Sequence, residues 1–464
     1  MTAADDEDGT CDVCVVGAGV AGLSCALSLA SAGLRVVVVD ARPRVGGRTM
    51  TVGFAGGSVD VGGQWLGPAQ TRALALARDL GLSLVSQTWF DDMQASPADP
   101  LLRSGSERQL LDGSASELRS VAQTIDDLAR TLTPPPWAAE ERERLGRLDE
   151  MTAAAFINKN SKTDWVRREL RFFVNNTLAC EPEQVSFLFF LNCVAACGGL
   201  WRLGDGDGGA QSYTIKGGAG LLSKMLEEKV KKAGALLRLS SPVTEVTDAG
   251  GGVVVTAGGR TIIARAAVVA MAPTLWPRIT FSPPLPPLKS GLASRMFMGS
   301  VVKAIAVYRV PFWSERSASS LELESLGPVY NLFPGRVGEL HSLVGLITGG
   351  KAAEMSELSA AEVRSRVTMQ YARYFRNDAA LSPVAFVSKA WSQEEWSGGC
   401  FEALTPPGAC MDLLEHGDQR VGCLWWAATE FGRAWPGYME GAIESGQRTA
   451  EAVAEALLQE RTAL

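Results

Sequence analysis

Two side chains lie among neighbours that suit chemistry. Cys400 follows the run Ser-Gly-Gly at 397–399, and glycines beside a thiol allow its backbone to approach a bound group closely. Lys303 lies in an apolar run at 301–308; if this run is a strand, the ammonium shares a face with the apolar side chains two positions away. A buried lysine is costly unless it is paired or neutral, so its pKa is expected to fall. The plainer alternatives are a small buried thiol and an edge lysine that reaches water.

The first forty residues carry the pattern of a dinucleotide-binding turn. A Val-rich run at 11–16 predicts a buried strand, a small-residue helix runs to about residue 32, and a second strand at 34–39 ends at Asp40. Between the first strand and the helix, Gly17, Gly19 and Gly22 permit a tight turn and close approach of the backbone to a pyrophosphate. Asp40 can accept hydrogen bonds from ribose hydroxyls. Without a nucleotide, this would be an ordinary glycine turn of an α/β core.

Composition narrows the classes of partner. A net charge of −7 leaves no basic surface for nucleic acid or an anionic membrane. Nine scattered cysteines in a chain without a signal peptide favour reduced thiols over a disulfide framework. Only two histidines are present, His341 and His416, so neither a zinc site nor a histidine-dependent triad is expected, and no metal is predicted.

Two apolar stretches could be mistaken for a signal peptide or a membrane-spanning helix. The stretch at 13–34 follows an acidic leader, where a signal peptide would carry positive charge. The stretch at 185–201 is interrupted by Asn192 and by the glycine pair at 198–199, so it is predicted to be a buried helix. Because the last residues, 451–464, are charged and amphipathic, we expect no membrane anchor and a cytoplasmic, soluble protein.

An arginine- and glycine-rich segment follows the second strand and contains Arg42, Gly47 and Arg48; the run Gly-Gly-Gln-Trp at 62–65 comes soon after. Paired glycines let the backbone run close to a flat ring or a phosphate, and arginines supply charge for a pyrophosphate. This segment resembles the flavin-binding signature of the flavin-dependent amine oxidase family, most closely that of the monoamine oxidases. The resemblance implies FAD, with contacts from Gly17, Gly19, Gly22, Asp40, Arg42, Gly47, Arg48, Gly63, Gln64, Trp65 and, through its backbone, Val243.

The run at 429–446 near the end of the chain is the most specific one. Pro436 suits a helix start, and Gly437, Gly441 and Ser445 recur every four residues, which predicts one smooth helix face. Taken alone, this face would suit helix packing. The run is similar, nearly residue for residue, to a monoamine oxidase helix. That resemblance implies that Glu430 and Met439 contact FAD and that Tyr438 forms one wall of an aromatic cage.

The same resemblance assigns roles to four more residues. It implies that the Cys400 thiol forms a thioether to the flavin 8α carbon, and that Lys303 holds a water against flavin N5. Phe401 stands where the family has a tyrosine, so its ring can still steer an amine while the hydroxyl is lost and substrate preference changes. Trp391 resembles the family tryptophan that packs near the flavin; an ordinary core aromatic is its alternative.

The resemblance also implies the architecture. We expect an α/β fold in which a Rossmann-like FAD-binding domain of the flavin amine oxidase type is interleaved with an α+β substrate-binding domain. The predicted FAD-binding domain comprises residues 1–87, 213–290 and 390–464. The predicted substrate-binding domain comprises residues 88–212 and 291–389.

The predicted activity is FAD-dependent oxidative deamination of amines, with primary aryl-alkyl monoamines as substrates and O2 as electron acceptor. The products would be an imine, hydrolysed to aldehyde and ammonia, and hydrogen peroxide. A polyamine or L-amino-acid oxidase is the first alternative, although no cation for a substrate carboxylate can be placed. A non-catalytic flavoprotein with FAD as a structural core is the alternative of another class, which retention of Lys303 and Cys400 opposes. The oligomeric state is left open, a homodimer included.

Overall fold

A computed structural model describes residues 10–54, 56–87, 114–204, 208–313 and 320–462. These residues form two compact units. Unit 1 comprises those within Met1–Gly47, Leu222–Arg295 and Asp412–Leu464, and unit 2 comprises those within Arg48–Leu221 and Met296–Met411. The domain division expected from the sequence assigns binding functions and stays a prediction. Of the described residues, those within 48–87, 213–221 and 390–411, which the prediction assigns to the FAD-binding domain, belong to unit 2, and residues 291–295, which it assigns to the substrate-binding domain, belong to unit 1.

Unit 1 is built on a mixed sheet of eight described strands. These strands are Thr10–Val16, Val36–Val39, Leu236–Arg238, Val243–Asp248, Val253–Ala257, Arg260–Val269, Thr280–Ser282 and Leu424–Trp426. Its helices are Val20–Ser31, Pro287–Arg295 and Met439–Thr462, with Gly220–Lys232 and Cys410–His416 crossing the unit boundary and short 3-10 turns at Pro273–Arg278 and Thr429–Phe431.

The centre of this sheet is the predicted dinucleotide-binding core. The Thr10–Val16 strand pairs in parallel with Val36–Val39 on one side and with Arg260–Val269 on the other. All residues of the Val36–Val39 strand are buried, as expected for a parallel strand covered on both faces. The strand, glycine turn, helix and second strand therefore form as predicted, and the α/β fold class is confirmed.

The C-terminal helix begins later than the sequence predicts. It starts at Met439, three residues after Pro436. Trp435 and Gly437 have φ values of 54° and 81°, which lie outside the helical region and delay the first turn. Gly437 is therefore not part of the small-residue helix face. Further along that helix, a Cβ at Gly446 would lie 2.3 Å from the Ala21 carbonyl oxygen, so glycine permits close packing on the Val20–Ser31 helix.

A buried lysine ties two parts of unit 1 together. Lys289 is 2% exposed, and its Nζ donates to the carbonyl oxygens of His416, Gly417 and Gln419 at 3.1, 3.0 and 2.8 Å. The ammonium also lies 4.2 Å from the centre of the Trp426 ring. Three carbonyls at the end of the Cys410–His416 helix and its following turn thus depend on one side chain.

We expect Lys289→Met to lower the free energy of unfolding by about 1–3 kcal/mol, because three buried carbonyls lose their donor. Burial lowers the pKa of Lys289 to about 7, so removing the ammonium offsets part of this loss. Denaturant unfolding followed by circular dichroism measures the change. The exposed Lys224→Met serves as the control and should shift stability by under about 0.5 kcal/mol. Equal stability of the two variants would contradict the role of Lys289.

Unit 2 combines short sheets with a helical region. Its strands are Thr51–Phe54, Gly57–Asp60, Trp65–Leu66, Leu84–Ser86, Tyr213–Ile215, Phe297–Met298, Val301–Tyr308, Asn331–Val337, Leu340–Thr348, Ala385–Ala390 and Ala403–Leu404. Its helices are Thr71–Asp79, Ser114–Arg130, Ala139–Asp149, Ala153–Asn160, Asp164–Leu178, Phe187–Cys197, Leu200–Leu203, Ser320–Leu326, Gly349–Ser356 and Ala360–Phe375, with 3-10 turns at Asp378–Leu381 and Trp391–Gln393.

The Val301–Tyr308 strand is the structural centre of unit 2. It lies inside a four-stranded antiparallel sheet, between Leu340–Thr348 and Ala385–Ala390. All its residues are buried. Ile305 and Val307 pack into one apolar cluster and Val302 into another, so the strand has two covered faces. The predicted strand is confirmed, and Lys303 is not an edge residue.

Residues 114–204 are mainly helical, and residues 88–113 lie outside the described ones. The apolar stretch at 185–201 contains the buried helix Phe187–Cys197, as predicted. Among the helices of the described ranges, none combines the length and apolar character needed to cross a bilayer.

Candidate active site

The glycine turn of unit 1 has the shape of a phosphate cradle. Gly17 has a φ of 112°, and a Cβ there would lie 2.4 Å from the Ala270 carbonyl oxygen. A Cβ on Gly22 would lie 1.9 Å from the Gly17 carbonyl oxygen, so neither position accepts a side chain. Gly19 caps the Val20–Ser31 helix without a side-chain hydrogen bond, and a Cβ there would meet no atom within 4 Å. Uncapped helix amides beside open space suit a pyrophosphate.

Asp40 ties the second strand to this turn. Its Oδ2 accepts from the Ala18 amide at 2.7 Å, and its Oδ1 accepts from the Arg42 amide at 2.8 Å. Gly47, with a φ of 57°, lies so close that its Cβ would be 3.3 Å from the Cα of Gly19. Asp40, Arg42 and Gly47 are thus brought against the glycine turn, whereas contact of Asp40 with a ribose stays a prediction.

The other predicted residues of unit 1 lie near its C-terminal helix or on its sheet. Glu430 and Met439 are buried, and Tyr438 is half-buried, with its ring edge-to-face against Trp435 at 5.1 Å. The Tyr438 carbonyl accepts from the Thr429 hydroxyl at 2.7 Å. Val243 opens the Val243–Asp248 strand. Their contacts with FAD stay predictions.

In unit 2, Lys303 is held from two directions by the segment at 62–65. Its Nζ donates to the Gly62 carbonyl oxygen at 3.0 Å and to Gln64 Oε1 at 2.7 Å, and it lies 4.6 Å from the centre of the Trp65 ring. The side chain is 3% exposed. Burial lowers the pKa of Lys303 to about 8, while the nearby Asp60 and Cys400 act in the opposite direction. The predicted fall in pKa is confirmed.

Asp60 is a site residue that sequence reasoning missed. Its two carboxylate oxygens each accept from the Ala219 amide at 3.0 Å, and one also accepts from the Thr51 hydroxyl. Burial raises the pKa of Asp60, and the positive charge of Lys303 counteracts part of that rise. A carboxylate two residues before the glycine pair at 62–63 is the signal in the sequence; its partner Ala219 lies 159 residues away.

The turn that carries Cys400 is built by contact between two backbones. The Cys400 amide donates to the Gly299 carbonyl oxygen at 2.9 Å. A Cβ on Gly399 would lie 2.4 Å from that same oxygen, and a Cβ on Gly299 would lie 2.4 Å from the Cys400 carbonyl oxygen. Because the chain runs from Gly299 directly into the Val301–Tyr308 strand, one segment positions both the thiol and Lys303.

Cys400 and its neighbours pack around an aromatic side chain. Cys400 forms an apolar cluster with Ala179, Val301 and Trp391. Trp391 is fully buried, and its Nε1 donates to the Val61 carbonyl oxygen at 2.8 Å, next to the carbonyl that holds Lys303. Trp391 is therefore a core aromatic, and its contact with a flavin stays a prediction.

Arg48 reaches the residue after the thiol. Its Nη1 donates to the Phe401 carbonyl oxygen at 3.0 Å, across a separation of 353 residues, and the Cys400–Phe401 peptide is cis. Gly63 is next in the chain to Gly62, and its amide donates to the Arg48 carbonyl oxygen at 3.1 Å. Unit 2 thus brings together the predicted residues Arg48, Gly63, Gln64, Trp65, Lys303, Trp391, Cys400 and Phe401.

The sequence profile described as flavin containing amine oxidoreductase matches residues 20–454. The chain therefore belongs to the flavin-containing amine oxidases, enzymes that use oxygen, and the family implies FAD. It is similar to a probable flavin-containing monoamine oxidase A of Dictyostelium discoideum, with 33% identity over 96% of this chain and 98% of that protein. It is 32% identical to flavin-containing amine oxidase B of Sus scrofa, over 96% of this chain and 86% of that protein.

Solved structures show the same family likeness. Putrescine oxidase, wild type bound to putrescine, superposes with a TM-score of 0.84 at 26% identity, covering 96% of this chain and 99% of that one. Cyclohexylamine oxidase from Brevibacterium oxydans IH-35A superposes with a TM-score of 0.82 at 29% identity, with the same coverage. One of these enzymes is named for putrescine and the other for cyclohexylamine, so membership of the family alone does not define the substrate class of this chain.

Proposed function

We propose that this enzyme catalyses the oxidative deamination of primary aryl-alkyl monoamines to an imine, which water converts to aldehyde and ammonia, with release of hydrogen peroxide. When bound, FAD supplies the redox chemistry between the amine and O2. The observation that carries the proposal is the buried Lys303 ammonium, which the Gly62 and Gln64 oxygens hold. Lys303 lies on the strand that follows Gly299, and the Gly299 carbonyl accepts from the Cys400 amide. A protein that kept FAD only as a structural core would have no use for this costly lysine.

The residues present fit FAD. The open space at Gly19 and the uncapped amides of the Val20–Ser31 helix suit the pyrophosphate, and an acidic side chain that would oppose it is absent from the first turn of that helix. The residues that would hold FAD are Gly17, Gly19, Gly22, Asp40, Arg42, Gly47, Arg48, Gly63, Gln64, Trp65, Val243, Trp391, Cys400, Glu430 and Met439.

Lys303 would act through its remaining proton. An ammonium has three N–H donors, and the Gly62 and Gln64 oxygens take two of them. The third is available to hold a water against flavin N5. Because the pKa of Lys303 is about 8, the side chain can both carry charge and release a proton near neutral pH.

Apolar surface in unit 2 favours an aryl-alkyl monoamine. Half-buried Trp65 and Phe401 pack on the same apolar cluster, and Phe333 lies 4.7 Å from the Trp65 ring. Such rings suit an aromatic or aliphatic side chain and attract an amine by their quadrupole. We propose that Phe401 and Tyr438 contact the amine.

Two charged groups of unit 2 argue against a polyamine oxidase and an L-amino-acid oxidase. Asp60, the carboxylate beside Lys303, is buried and accepts from the Ala219 amide and the Thr51 hydroxyl, so it is poorly accessible to the second amine of a diamine. Arg48 donates to the Phe401 carbonyl, which makes it a weak candidate for an amino-acid carboxylate. The likeness to putrescine oxidase nevertheless keeps a diamine oxidase as the second candidate.

Amine-dependent peroxide release tests the function. We expect peroxide with 2-phenylethylamine and benzylamine, and much less with putrescine, spermidine or L-amino acids at equal concentration. A preference for putrescine or spermidine would make the second candidate correct. Absence of peroxide with every amine, from protein that carries FAD, would contradict enzymatic function.

We further propose a thioether between Cys400 Sγ and the flavin 8α carbon. Its formation would remove the thiol hydrogen and one 8α hydrogen, and the two electrons would pass to the flavin and from it to O2, the acceptor that the oxidase activity uses. After acid precipitation, the yellow chromophore should stay with the protein, and a tryptic peptide containing Cys400 should carry the flavin mass. Cys400→Ser should release the chromophore, whereas Cys423→Ser, a matched control in unit 1, should retain it. Release of all flavin from the wild-type protein would refute covalent attachment and leave the proposed oxidase activity standing.

A further inference from the structure

We propose that Gln64 is a positioning residue that aims the Lys303 ammonium through its Oε1 and so governs how the enzyme reacts with O2. This inference rests on the proposed function, because Lys303 matters for O2 only if the protein is an oxidase. It goes further by giving the side chain of Gln64, expected from the sequence only to contact FAD, a defined task toward another protein group.

The geometry singles out Gln64. The contact from Lys303 Nζ to Gln64 Oε1 is 2.7 Å, shorter than the 3.0 Å contact to the Gly62 carbonyl. Gly62 itself is fixed, because its amide donates to the Met50 carbonyl at 3.2 Å. A lysine side chain is a flexible four-carbon stem, so one backbone acceptor restrains the direction of its ammonium poorly. Gln64 supplies the second acceptor and thereby selects the direction of the third N–H.

The charges around Lys303 make this acceptor important. The Asp60 carboxylate favours the ammonium, and burial opposes it. Lys389 lies directly opposite Lys303 on the Ala385–Ala390 strand, but its ammonium is paired with Glu394. On the other neighbouring strand, the opposite residue is the apolar Leu346. Gln64 is neutral, so it holds the ammonium without adding charge.

Two substitutions of Gln64 should therefore shift the pKa of Lys303 in opposite directions. Gln64→Glu places a carboxylate beside the ammonium and should raise the pKa of Lys303 above about 8. Gln64→Met keeps the length, removes the acceptor and should lower that pKa. Shifts of roughly one pH unit or more are expected for a partner at this distance.

A readout that needs no turnover is the pH dependence of unfolding. The pKa of Lys303 is about 8 in the folded protein, against 10.5 as its ordinary value. Between pH 8 and 10.5, the unfolded chain binds a proton at Lys303 that the folded protein does not bind. The free energy of unfolding, measured relative to that of Lys303→Met, therefore rises with pH across this range and is constant below it. The rise should begin at higher pH in Gln64→Glu and at lower pH in Gln64→Met.

The experiment measures denaturant unfolding and the rate of flavin reoxidation by O2, each against pH, on purified FAD-bound protein. Both profiles should shift upward for Gln64→Glu and downward for Gln64→Met. Gln87→Met is the matched control: Gln87 donates to the Thr214 hydroxyl at 3.1 Å, and its variant should shift neither profile. In a Lys303→Met background, the Gln64 substitutions should shift neither profile between about pH 8 and 10.5, the range in which Lys303 titrates.

The outcomes separate the two proposals. The role of Gln64 is overturned, whatever the enzyme oxidises, if neither Gln64 substitution shifts the unfolding profile. It is also overturned if the profile shifts equally in the Lys303→Met background. An unfolding profile that shifts as expected, in a protein that oxidises no amine, supports the Gln64–Lys303 link and refutes the proposed function instead. If unfolding shifts and turnover occurs but the reoxidation profile stays unchanged, Gln64 does not govern the reaction with O2, and the proposal is overturned.

Discussion

Lys303→Met is expected to slow reoxidation of the flavin by O2 on the order of a hundredfold, the usual cost of deleting a well-placed polar group in a buried site. Methionine keeps length and apolar volume while removing the N–H that would hold a water. The substitution leaves the Gly62 and Gln64 oxygens without their donor but also removes an ammonium that burial disfavours, so we expect a folded protein that retains its FAD, at somewhat lower stability. Stopped-flow mixing of amine-reduced enzyme with O2 measures the rate.

Lys351→Met is the matched control for this variant. Lys351 also lies over an aromatic ring, 4.5 Å from the centre of Tyr330, and also donates to backbone carbonyls, those of Glu324 and Gly327. Its loss should leave reoxidation unchanged. If Lys303→Met reoxidises as fast as the control variant, then Lys303 has a structural role and its proposed water is not needed for the reaction.

Tyr438→Ala is expected to lower amine turnover on the order of a hundredfold, because loss of positioning commonly costs that much. Tyr438→Phe keeps the ring and deletes one hydroxyl, and one hydrogen bond contributes roughly 1 kcal/mol, about fivefold in rate. Phe401 has no hydroxyl, so orientation of the amine should depend mainly on ring shape. Steady-state kcat and KM with 2-phenylethylamine measure both variants, with flavin absorbance per protein as the control for FAD content.

The pattern of losses distinguishes the roles of Tyr438. A far larger loss in the alanine variant supports a wall of the amine site. Equal losses would mean that the hydroxyl acts and not the ring. Unchanged turnover in both variants would place Tyr438 outside the amine site.

The parts of the fold that depend on local chemistry could be predicted from the sequence. Gly17 and Gly22 have no room for a Cβ, so their spacing between two apolar runs already defined the turn and its strands. Lys303 could be placed on a buried strand because its neighbours form a continuous apolar run, as a strand covered on both faces requires. The start of the C-terminal helix could not be read in this way, since Pro436 permits a helix start but does not require one.

The contacts that complete the site could not be predicted, because they join distant parts of the chain. Gln64 holds Lys303 across 239 residues, and Arg48 holds the Phe401 carbonyl across 353. Gln64 and Arg48 stood out only as members of a glycine-rich signature, which says nothing of their partners. The resemblance to a known family supplied roles for single residues, but the structure was needed to show that Asp60 and Gln64 both act on Lys303.

Anaerobic titration of the purified protein with 2-phenylethylamine tests the central claim most directly. If the protein is an FAD-dependent amine oxidase, the absorbance of the oxidised flavin should bleach as amine is added, and admitting O2 should restore it with release of hydrogen peroxide. A flavin absorbance that stays unchanged with 2-phenylethylamine, benzylamine, putrescine and L-amino acids alike would contradict the claim, because a bound flavin that no amine can reduce is not the centre of an amine oxidase.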